Sequence, residues 1–238
     1  MQYGESDASI GRAILERGYS LPTIYDVGGS NGAWTSIMCK VFPQSRFELF
    51  EPLAEINSAY KEKLKHLKTV HANANMNAVA IGESDGEIDI HMSADPSGST
   101  TLPIGKIANF TSVSVPIRSI DSIVKSRMCP PPDFIKIDIQ GGEMAALRGA
   151  ANTLPSVQFL LLETWVQRGY GKSTPLLHEL IPFLAAQNFV PYEFSDVYRG
   201  SNGESVAIDV VFINKRKYKY KSRLLYNLFN KYLNSKPF

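Results

Sequence analysis

The sequence predicts one α/β domain built on a doubly wound sheet whose last strand is antiparallel. Three observations predict this fold. Five short apolar segments alternate with segments of helical periodicity. Three glycines, at positions 28, 29 and 32, follow the first strand, which is typical of a turn that a ligand approaches closely. The last two strand-like segments are separated only by residues 199–203, a connection that can join antiparallel strands but not parallel ones.

The first half of the chain opens with helical periodicity and then reaches the first buried strand, which ends at the glycines. A second strand closes at Glu51 and Pro52 and leads into a lysine-rich helix. The predicted elements are, in order, helix 8–18, strand 23–28, helix 32–42, strand 46–52, helix 54–67, strand 77–82 and an alternating strand-like run at 87–93.

The second half contains a serine- and glycine-rich loop and the two strands that complete the parallel part of the predicted sheet. Pro182 lies inside the last predicted helix, where we expect a kink. The predicted elements are loop 94–105, an alternating run at 111–120, strand 132–139, helix 141–154, strand 157–164, helix 173–188 and the hairpin strands 189–198 and 204–214.

The net charge of +2 is unevenly distributed. Residues 215–238 contain eight Lys and Arg and no acid, whereas residues 1–214 contain 17 basic and 23 acidic residues, a net charge of −6. We therefore expect a domain over 1–214 that does not bind nucleic acid, and a basic amphipathic tail over 215–238. The tail has the composition to lie on an anionic membrane, to dock on a protein partner or to pack on its own domain.

The start of the chain lacks the basic-then-apolar pattern of a signal segment. The two cysteines, Cys39 and Cys129, form no CxxC motif and fit a reducing compartment. We therefore expect a cytoplasmic protein, which would be membrane-associated if the tail binds lipid.

The ends of the first two strands predict a ligand site. Ligands of a doubly wound sheet bind beyond the carboxyl ends of the strands at the switch point, where Asp26 and the glycine turn lie. Glu51 ends the second strand and is placed to bind both hydroxyls of a ribose. The dinucleotide pattern G-x-G-x-x-G fails at Ser30 and Ala33. An acid before the turn favours a cationic ligand over a diphosphate, so S-adenosylmethionine is the predicted cofactor.

These features resemble the FkbM-type methyltransferases, a branch of the class I S-adenosylmethionine-dependent enzymes. The resemblance is carried by the segments YDVGGSNG (25–32), FELFEP (47–52), NAVAIGESDGE (77–87), FIKIDIQGGEMAALRGA (134–150), LLLET (160–164) and AIDVVFIN (207–214). It implies a seven-stranded Rossmann-like methyltransferase sheet with an antiparallel last strand. The sequence departs from the usual pattern at Gln140, where many members have Glu, and an amide cannot act as a base.

Carried onto this sequence, the resemblance implies three groups of cofactor-binding residues. The methionine part of the cofactor would be lined by Asp26, Gly28, Asn31 and Gly32. The ribose would be held by Glu51, and the adenine would lie near Asn77 and Ala78.

Methyl transfer to a hydroxyl requires alignment of the reactants and a group that takes up the proton. Asp138, Glu163 and Lys136 are the predicted catalytic residues, because Lys136 and Asp138 share one face of a central strand, where charges must be paired. Lys136 can alternatively serve only as an ion pair in the floor of the site. Glu143, in the first turn of the next helix, is either functional or complements the helix dipole. The acids would suit Mg²⁺, although no further ligand cluster accompanies them.

Two segments are predicted to contact the acceptor. Ser99 and Thr100 belong to the loop at 94–105, and Trp165 follows the fifth strand, near Arg168 and Tyr170. The resemblance implies a small-molecule or glycan acceptor, so the predicted function is O-methylation of a sugar hydroxyl. Two alternatives stay open. One is an NAD(P)-dependent oxidoreductase, and the other is a non-catalytic cofactor-binding module that recruits a partner or a membrane.

Overall fold

A computed structural model describes residues 5–103 and 110–218 of the chain. The strands are β1 (Thr23–Val27), β2 (Arg46–Phe50), β3 (Ala74–Asn77), β4 (Ala80–Ile81), β5 (Gly86–Met92), β6 (Thr111–Arg118), β7 (Phe134–Ile137), β8 (Phe159–Trp165), β9 (Phe189–Arg199) and β10 (Ser205–Asn214). The helices are α1 (Glu5–Glu16), α2 (Ala33–Val41), α3 (Ser58–Val70), α4 (Ile120–Lys125), α5 (Glu143–Arg148) and α6 (Leu177–Ala186).

Seven strands form the central sheet in the order β3-β2-β1-β7-β8-β10-β9. The chain moves outward from β1 to β3 and later outward again from β7, so the switch point lies between β1 and β7. These strands pair in parallel, whereas β10 is antiparallel to both β8 and β9. The predicted doubly wound sheet with an antiparallel last strand is confirmed.

The sheet is covered on both faces, which explains why its central strands are almost continuously apolar. Side chains of α1, α2 and α3, among them Ile14, Trp34 and Leu64, form one core with the first face. Side chains of α4, α5 and α6, among them Leu147 and Leu180, form a second core with the other face. Every residue of β1, β7 and β8 is buried, so the polar residues inside these strands need partners within the protein.

The third strand of the sheet differs from the prediction. The bounds 77–82 are wrong, because β3 ends at Asn77 and β4 leaves the central sheet. The polar sequence of β3 is compatible with its position because Asn75 and Asn77 donate hydrogen bonds from Nδ2 to the Glu48 carboxylate on β2. Because β3 has the polar sequence Ala-Asn-Met-Asn, it cannot be recognised as an apolar run.

A second sheet of three strands, in the order β4-β6-β5, accounts for the two alternating runs. β5 and β6 pair antiparallel from Gly86 to Met92, and β4 pairs parallel with the end of β6. Helix α4, which the sequence pattern did not predict, follows β6 directly and is capped by Ser119. Helix α5 is shorter than the predicted 141–154, since it ends before Gly149.

The C-terminal hairpin confirms the sequence prediction, and β9 and β10 extend from the short turn as expected. Beyond β10 the structure describes one 3-10 turn, Lys215–Lys217, and Tyr218. The predicted amphipathic segment of the tail, residues 219–238, lies outside the described residues. Within the described part of the chain, no helix is both long and apolar enough to span a bilayer.

Candidate active site

The turn after β1 brings its backbone against the neighbouring strand. Gly28 has a φ of +77°, and a Cβ added to it would lie 1.9 Å from the carbonyl oxygen of Asp138. Its amide donates to the Phe50 carbonyl at the end of β2. Glycine is therefore required at position 28 by both backbone conformation and space, and the turn is held against the ends of β2 and β7.

Glu51 follows β2 and faces this turn. Its Oε2 accepts a hydrogen bond from the Ser30 amide at 2.8 Å, and its Oε1 accepts one from the Leu53 amide at 2.9 Å. Burial raises the pKa of Glu51, and the two backbone hydrogen bonds oppose that rise. Each oxygen keeps a further lone pair, so the carboxylate is held in one orientation and can still accept hydrogen bonds from a ligand.

An open cleft of about 710 Å³, measured out to its mouth, lies beyond these strand ends. Its apolar wall includes Phe50, Leu53, Ile81 and Ile90, and its polar lining includes Ser30, Glu51, Tyr60, Ser99, Thr100, Asp138 and Gln140. The cleft therefore joins the predicted cofactor acid, Glu51, to the predicted catalytic acid, Asp138.

Several predicted cofactor residues lie outside the lining of this cleft. Asn31 and Gly32 face a separate surface groove between α2 and α3, and the Asn31 side chain accepts a hydrogen bond from the Ala33 amide. Asn77 directs its amide group to Glu48 and to the Leu49 carbonyl. Ala78 packs against the core on the α1–α3 face. The cleft lining thus brings together Gly28, Glu51 and Asp138, but not these four residues. Asp26, predicted to line the methionine part of the cofactor, also lies outside it, because its carboxylate is fully buried against Lys136 and Thr35.

Lys136 is the centre of a buried charge cluster on β7. Its Nζ lies 3.3 Å from Asp26 Oδ1 and 3.3 Å from Asp138 Oδ2. The side chain is 4% exposed, and its ammonium group lies 5.9 Å from the centre of the Trp34 ring. Thr35 donates a 2.6 Å hydrogen bond from Oγ1 to the other oxygen of Asp26. One buried cation thus stands between two carboxylates, which is a pairing that such charges need in a sheet interior.

Gln140 joins the two remaining predicted catalytic groups. Its Nε2 donates to Asp138 Oδ1 at 2.9 Å and to Glu163 Oε2 at 3.0 Å. Its Oε1 accepts a 2.6 Å hydrogen bond from the Tyr170 hydroxyl. The backbone at Gln140 is left-handed, with a φ of +53°. The position that departs from the usual family pattern is therefore occupied by an amide that bridges two acids.

Glu163 and Asp209 extend the acidic cluster toward the hairpin. Burial, followed by the Asp138 carboxylate, raises the pKa of Glu163 well above neutrality. Asp209 lies directly opposite Glu163 in the β8–β10 register and accepts a 2.9 Å hydrogen bond from the Tyr198 hydroxyl. Burial and then Asp138 raise the pKa of Asp209 to about 7. The raised pKa values of Glu163 and Asp209 favour the protonated forms of these acids, which limits the repulsion among them.

Glu143 is completely buried, and its Oε1 accepts hydrogen bonds from the amides of Ile139 and Gly141, both at 3.1 Å. It therefore stabilises the turn between β7 and α5. Burial raises its pKa from 4.5 to about 7. In the folded state it keeps its proton over a pH range in which the unfolded chain has already lost it.

This difference predicts a pH-dependent contribution to stability. Between about pH 4.5 and 7 the unfolded chain binds fewer protons at this position, so the free energy of unfolding falls as the pH rises, by at most about 1.4 kcal/mol per pH unit for the one proton. Urea unfolding of the wild type and of Glu143→Gln at several pH values measures this contribution to the free energy of unfolding. The difference between the two proteins should change with pH only in this window. A difference independent of pH would contradict it.

The predicted acceptor residues lie in two places. Ser99 and Thr100 line the cleft, and Thr100 donates a 2.7 Å hydrogen bond from Oγ1 to the Gln140 carbonyl. Trp165 lies outside the cleft lining, and its ring meets the Tyr170 ring edge-on with centres 5.3 Å apart. Arg168 forms an ion pair with Glu179 at 2.5 Å and supports the same segment. Tyr170 is the aromatic residue of this segment that reaches the polar network.

Sequence reasoning missed three contributors to the site. Tyr60, from α3, accepts a 2.8 Å hydrogen bond from the Ser30 hydroxyl inside the cleft. Tyr198 and Asp209 come together only through hairpin pairing. A lone tyrosine in a lysine-rich helix carries no signal in the sequence. Within residues 5–103 and 110–218, no group of three or more His, Cys, Asp or Glu side chains has an arrangement suited to a metal ion.

The fold and the cleft define an α/β protein with an open cleft at the switch point of its doubly wound sheet. Residues 26–191 match the profile of the Methyltransferase FkbM domain. The chain therefore belongs to the FkbM methyltransferase family, as the sequence resemblance predicted.

Two relatives and one solved structure extend this comparison. The chain is 27% identical over 160 residues to the hexuronic acid methyltransferase AglP of Haloferax volcanii, covering 67% of this chain and 62% of that protein. It is 25% identical over 177 residues to the 2-O-methyltransferase NoeI of Sinorhizobium fredii, covering 68% of this chain and 71% of that protein. The chain thus spans less than two thirds of the length of AglP.

Among solved structures, the fold is similar to that of the O-methyltransferase TomG from Streptomyces achromogenes, which was solved in complex with SAM. The TM-score is 0.52 at 10% identity, and the match covers 90% of this chain and 82% of TomG. At this identity the likeness concerns the fold, and it agrees with the class of sheet described above.

Proposed function

We propose that this protein transfers a methyl group from S-adenosylmethionine to a hydroxyl oxygen of a sugar. The single observation that carries the proposal is the shared cleft. Glu51, oriented by two backbone amides, and Asp138, held by a lysine and an amide, line the same cavity at the switch point.

The cleft has the features that an adenosine cofactor with a cationic sulfur requires. Glu51 would accept hydrogen bonds from the ribose hydroxyls, and Phe50, Leu53, Ile81 and Ile90 offer an apolar wall for a flat base. Gly28 leaves room where a side chain would meet the Asp138 carbonyl. When bound, the cofactor supplies an activated methyl group on a sulfonium. The remaining chemistry consists of orientation and proton transfer, which fall to residues of the chain.

Asp138 is the residue proposed to take up the acceptor proton. One of its oxygens, Oδ1, accepts a hydrogen bond from Gln140, and the other lies 3.3 Å from the Lys136 ammonium. Glu163, on the adjacent strand β8, lies outside the cleft lining, and burial raises its pKa. Lys136 is proposed to hold Asp138 and Asp26 in place. The two acids therefore have different environments, which suits separate roles.

The nature of the acceptor is supported by the relatives. Both are named as methyltransferases, one acting on a hexuronic acid and the other a 2-O-methyltransferase. The cleft lining beside Asp138 contains Ser99 and Thr100. The Ser99 hydroxyl can exchange hydrogen bonds with a sugar, whereas the buried Thr100 hydroxyl already donates to the Gln140 carbonyl. We propose that Ser99 contacts the acceptor and that Thr100 shapes the wall beside it.

Two measurements test the proposed function. Calorimetric titration of the full chain with S-adenosylmethionine, S-adenosylhomocysteine and NAD is expected to show binding of the first two only. Incubation with methyl-labelled S-adenosylmethionine and a panel of p-nitrophenyl hexosides and hexuronides is expected to label a member of the panel. Binding of NAD without S-adenosylmethionine would favour the oxidoreductase and reject the proposal. Cofactor binding without transfer to any hydroxyl would favour a binding module.

Glu51→Gln is expected to weaken S-adenosylmethionine binding by about tenfold or more, because a hydrogen bond to a charged group contributes about 1.5–3 kcal/mol. Calorimetry of the two proteins measures the change in Kd. Glu55→Gln is the matched control, since Glu55 is exposed and pairs only with Lys61. An unchanged Kd in Glu51→Gln would contradict the role of Glu51.

A further inference from the structure

We infer that Gln140 and Tyr170 are positioning residues that hold Asp138 in its reactive orientation. The inference rests on the proposed function, since it concerns the group that takes up the acceptor proton. Neither residue can itself serve as the base, because one carries an amide and the other a neutral phenol. Their role is therefore to position Asp138.

The side-chain amide of Gln140 makes three hydrogen bonds, to Asp138, Glu163 and Tyr170. An amide nitrogen has two hydrogens, and Nε2 directs one to Asp138 and one to Glu163, at 2.9 and 3.0 Å. The amide oxygen only accepts, and it receives the Tyr170 hydroxyl at 2.6 Å. Reversing the amide would place its oxygen against the Asp138 carboxylate and remove the hydrogen bond to that group, so the orientation with Nε2 toward Asp138 is favoured.

Tyr170 acts on Asp138 only through this amide. Its hydroxyl has one hydrogen and two acceptors in reach, Gln140 Oε1 at 2.6 Å and the Gly98 carbonyl at 3.2 Å, and the shorter contact is to the amide. Burial, followed by Glu163, raises the pKa of the Tyr170 phenol, so it remains a donor at neutral pH. The backbone of Gln140 is held separately by the Thr100 hydroxyl.

The orientation of Asp138 therefore depends on a different partner at each of its two carboxylate oxygens. Lys136 approaches Oδ2 at 3.3 Å, and Gln140 approaches Oδ1 at 2.9 Å. Without the amide, the carboxylate would lose the hydrogen bond that fixes Oδ1, and the loss of a hydrogen bond donated to a carboxylate disfavours its anionic form. The titratable groups around Asp138 are Lys136 on its own strand, Asp26 on β1, Glu143 on α5, Glu163 on β8, Asp209 on β10 and the phenols of Tyr60, Tyr170 and Tyr198.

Two substitutions test the inference. Gln140→Met keeps the length of the side chain and removes its hydrogen bonds, whereas Tyr170→Phe keeps the ring against Trp165 and removes the hydroxyl. We expect the acid limb of the kcat profile to move upward by about one pH unit in Gln140→Met, because a hydrogen bond to a charged group corresponds to about a tenfold change or more in proton affinity. Tyr170→Phe should move it less, in the same direction.

Comparing the change in kcat with the change in KM distinguishes a positioning role from a role in cofactor binding. We expect kcat to fall by about tenfold or more in Gln140→Met, with the KM for S-adenosylmethionine nearly unchanged in both variants. Tyr25→Phe is the matched control, since it removes a buried phenol hydroxyl that donates to the Pro130 carbonyl and not to Gln140. It should leave the acid limb in place. Equal losses of rate at every pH, with no shift of the acid limb, would overturn the inference.

A measurement without an acceptor distinguishes this inference from the proposed function. Carbon-13 NMR titration of the Asp138 carboxyl, assigned with Asp138→Asn, reports proton binding in the cofactor-free protein. The midpoint should rise in Gln140→Met. An unchanged midpoint would overturn the positioning role even if the wild type methylates a sugar. A shifted midpoint in a protein that methylates nothing would support the positioning role and reject the proposed function alone.

Discussion

Asp138→Asn is expected to lower kcat for methyl transfer by about 10²–10⁴-fold, the usual contribution of a positioned general base. Asparagine has nearly the same shape and can still accept from Lys136, but it cannot take up the acceptor proton. The Kd for S-adenosylmethionine, measured by calorimetry, should change little because Glu51 is intact. Initial rates with labelled cofactor at saturating acceptor measure the loss.

Asp89→Asn serves as the control for this substitution. Asp89 is an exposed acid on β5, in the second sheet, and its replacement should leave the rate unchanged. If Asp138→Asn retains the wild-type rate, Asp138 is not the base. If it retains biological activity although the wild type transfers no methyl group, the protein is a cofactor-binding module.

Lys136→Met is expected to lower the free energy of unfolding by about 3–5 kcal/mol, the cost typical of removing one partner of a buried ion pair. The reason is that Asp26 and Asp138 would remain as uncompensated carboxylates in the interior, with Asp26 completely buried. Urea unfolding followed by circular dichroism measures the change.

Two further variants sharpen the stability measurement. Lys65→Met replaces an exposed lysine of α3 and should change stability by less than about 0.5 kcal/mol. The double variant Lys136→Met with Asp26→Asn should recover part of the loss, since it removes one of the two orphaned charges. A loss in Lys136→Met no greater than in Lys65→Met would show that the cluster does not depend on its cation.

Local patterns were sufficient for most of the fold. The apolar runs that became β1, β7 and β8 are buried on both faces, and such strands are recognisable without knowing their neighbours. The five-residue turn before Glu204 permits only an antiparallel pair, so the hairpin was predictable as well. The third strand was not, because β3 is stabilised by the bonds of Asn75 and Asn77 to Glu48, a residue 27 or more positions away.

The candidate site divides in the same way. That Gly28, Glu51 and Asp138 lie together on one cleft could be expected from the sequence, since the carboxyl ends of parallel strands meet at one edge of the sheet whatever the details of packing. The directions of the Asn31 and Asn77 side chains could not be predicted from the sequence, because the direction of a side chain in a turn or at a strand end depends on the local backbone.

By itself, the sequence determined the class of sheet, the switch point and the family. Only the tertiary structure decided which side chains complete the site: Gln140 between two acids, Tyr170 behind it and Asp209 opposite Glu163. Periodicity and motif are local properties of the chain, so they determine which elements form and where they end. A hydrogen bond between residues 30 positions apart, such as that of Tyr170 to Gln140, depends on how those elements pack together.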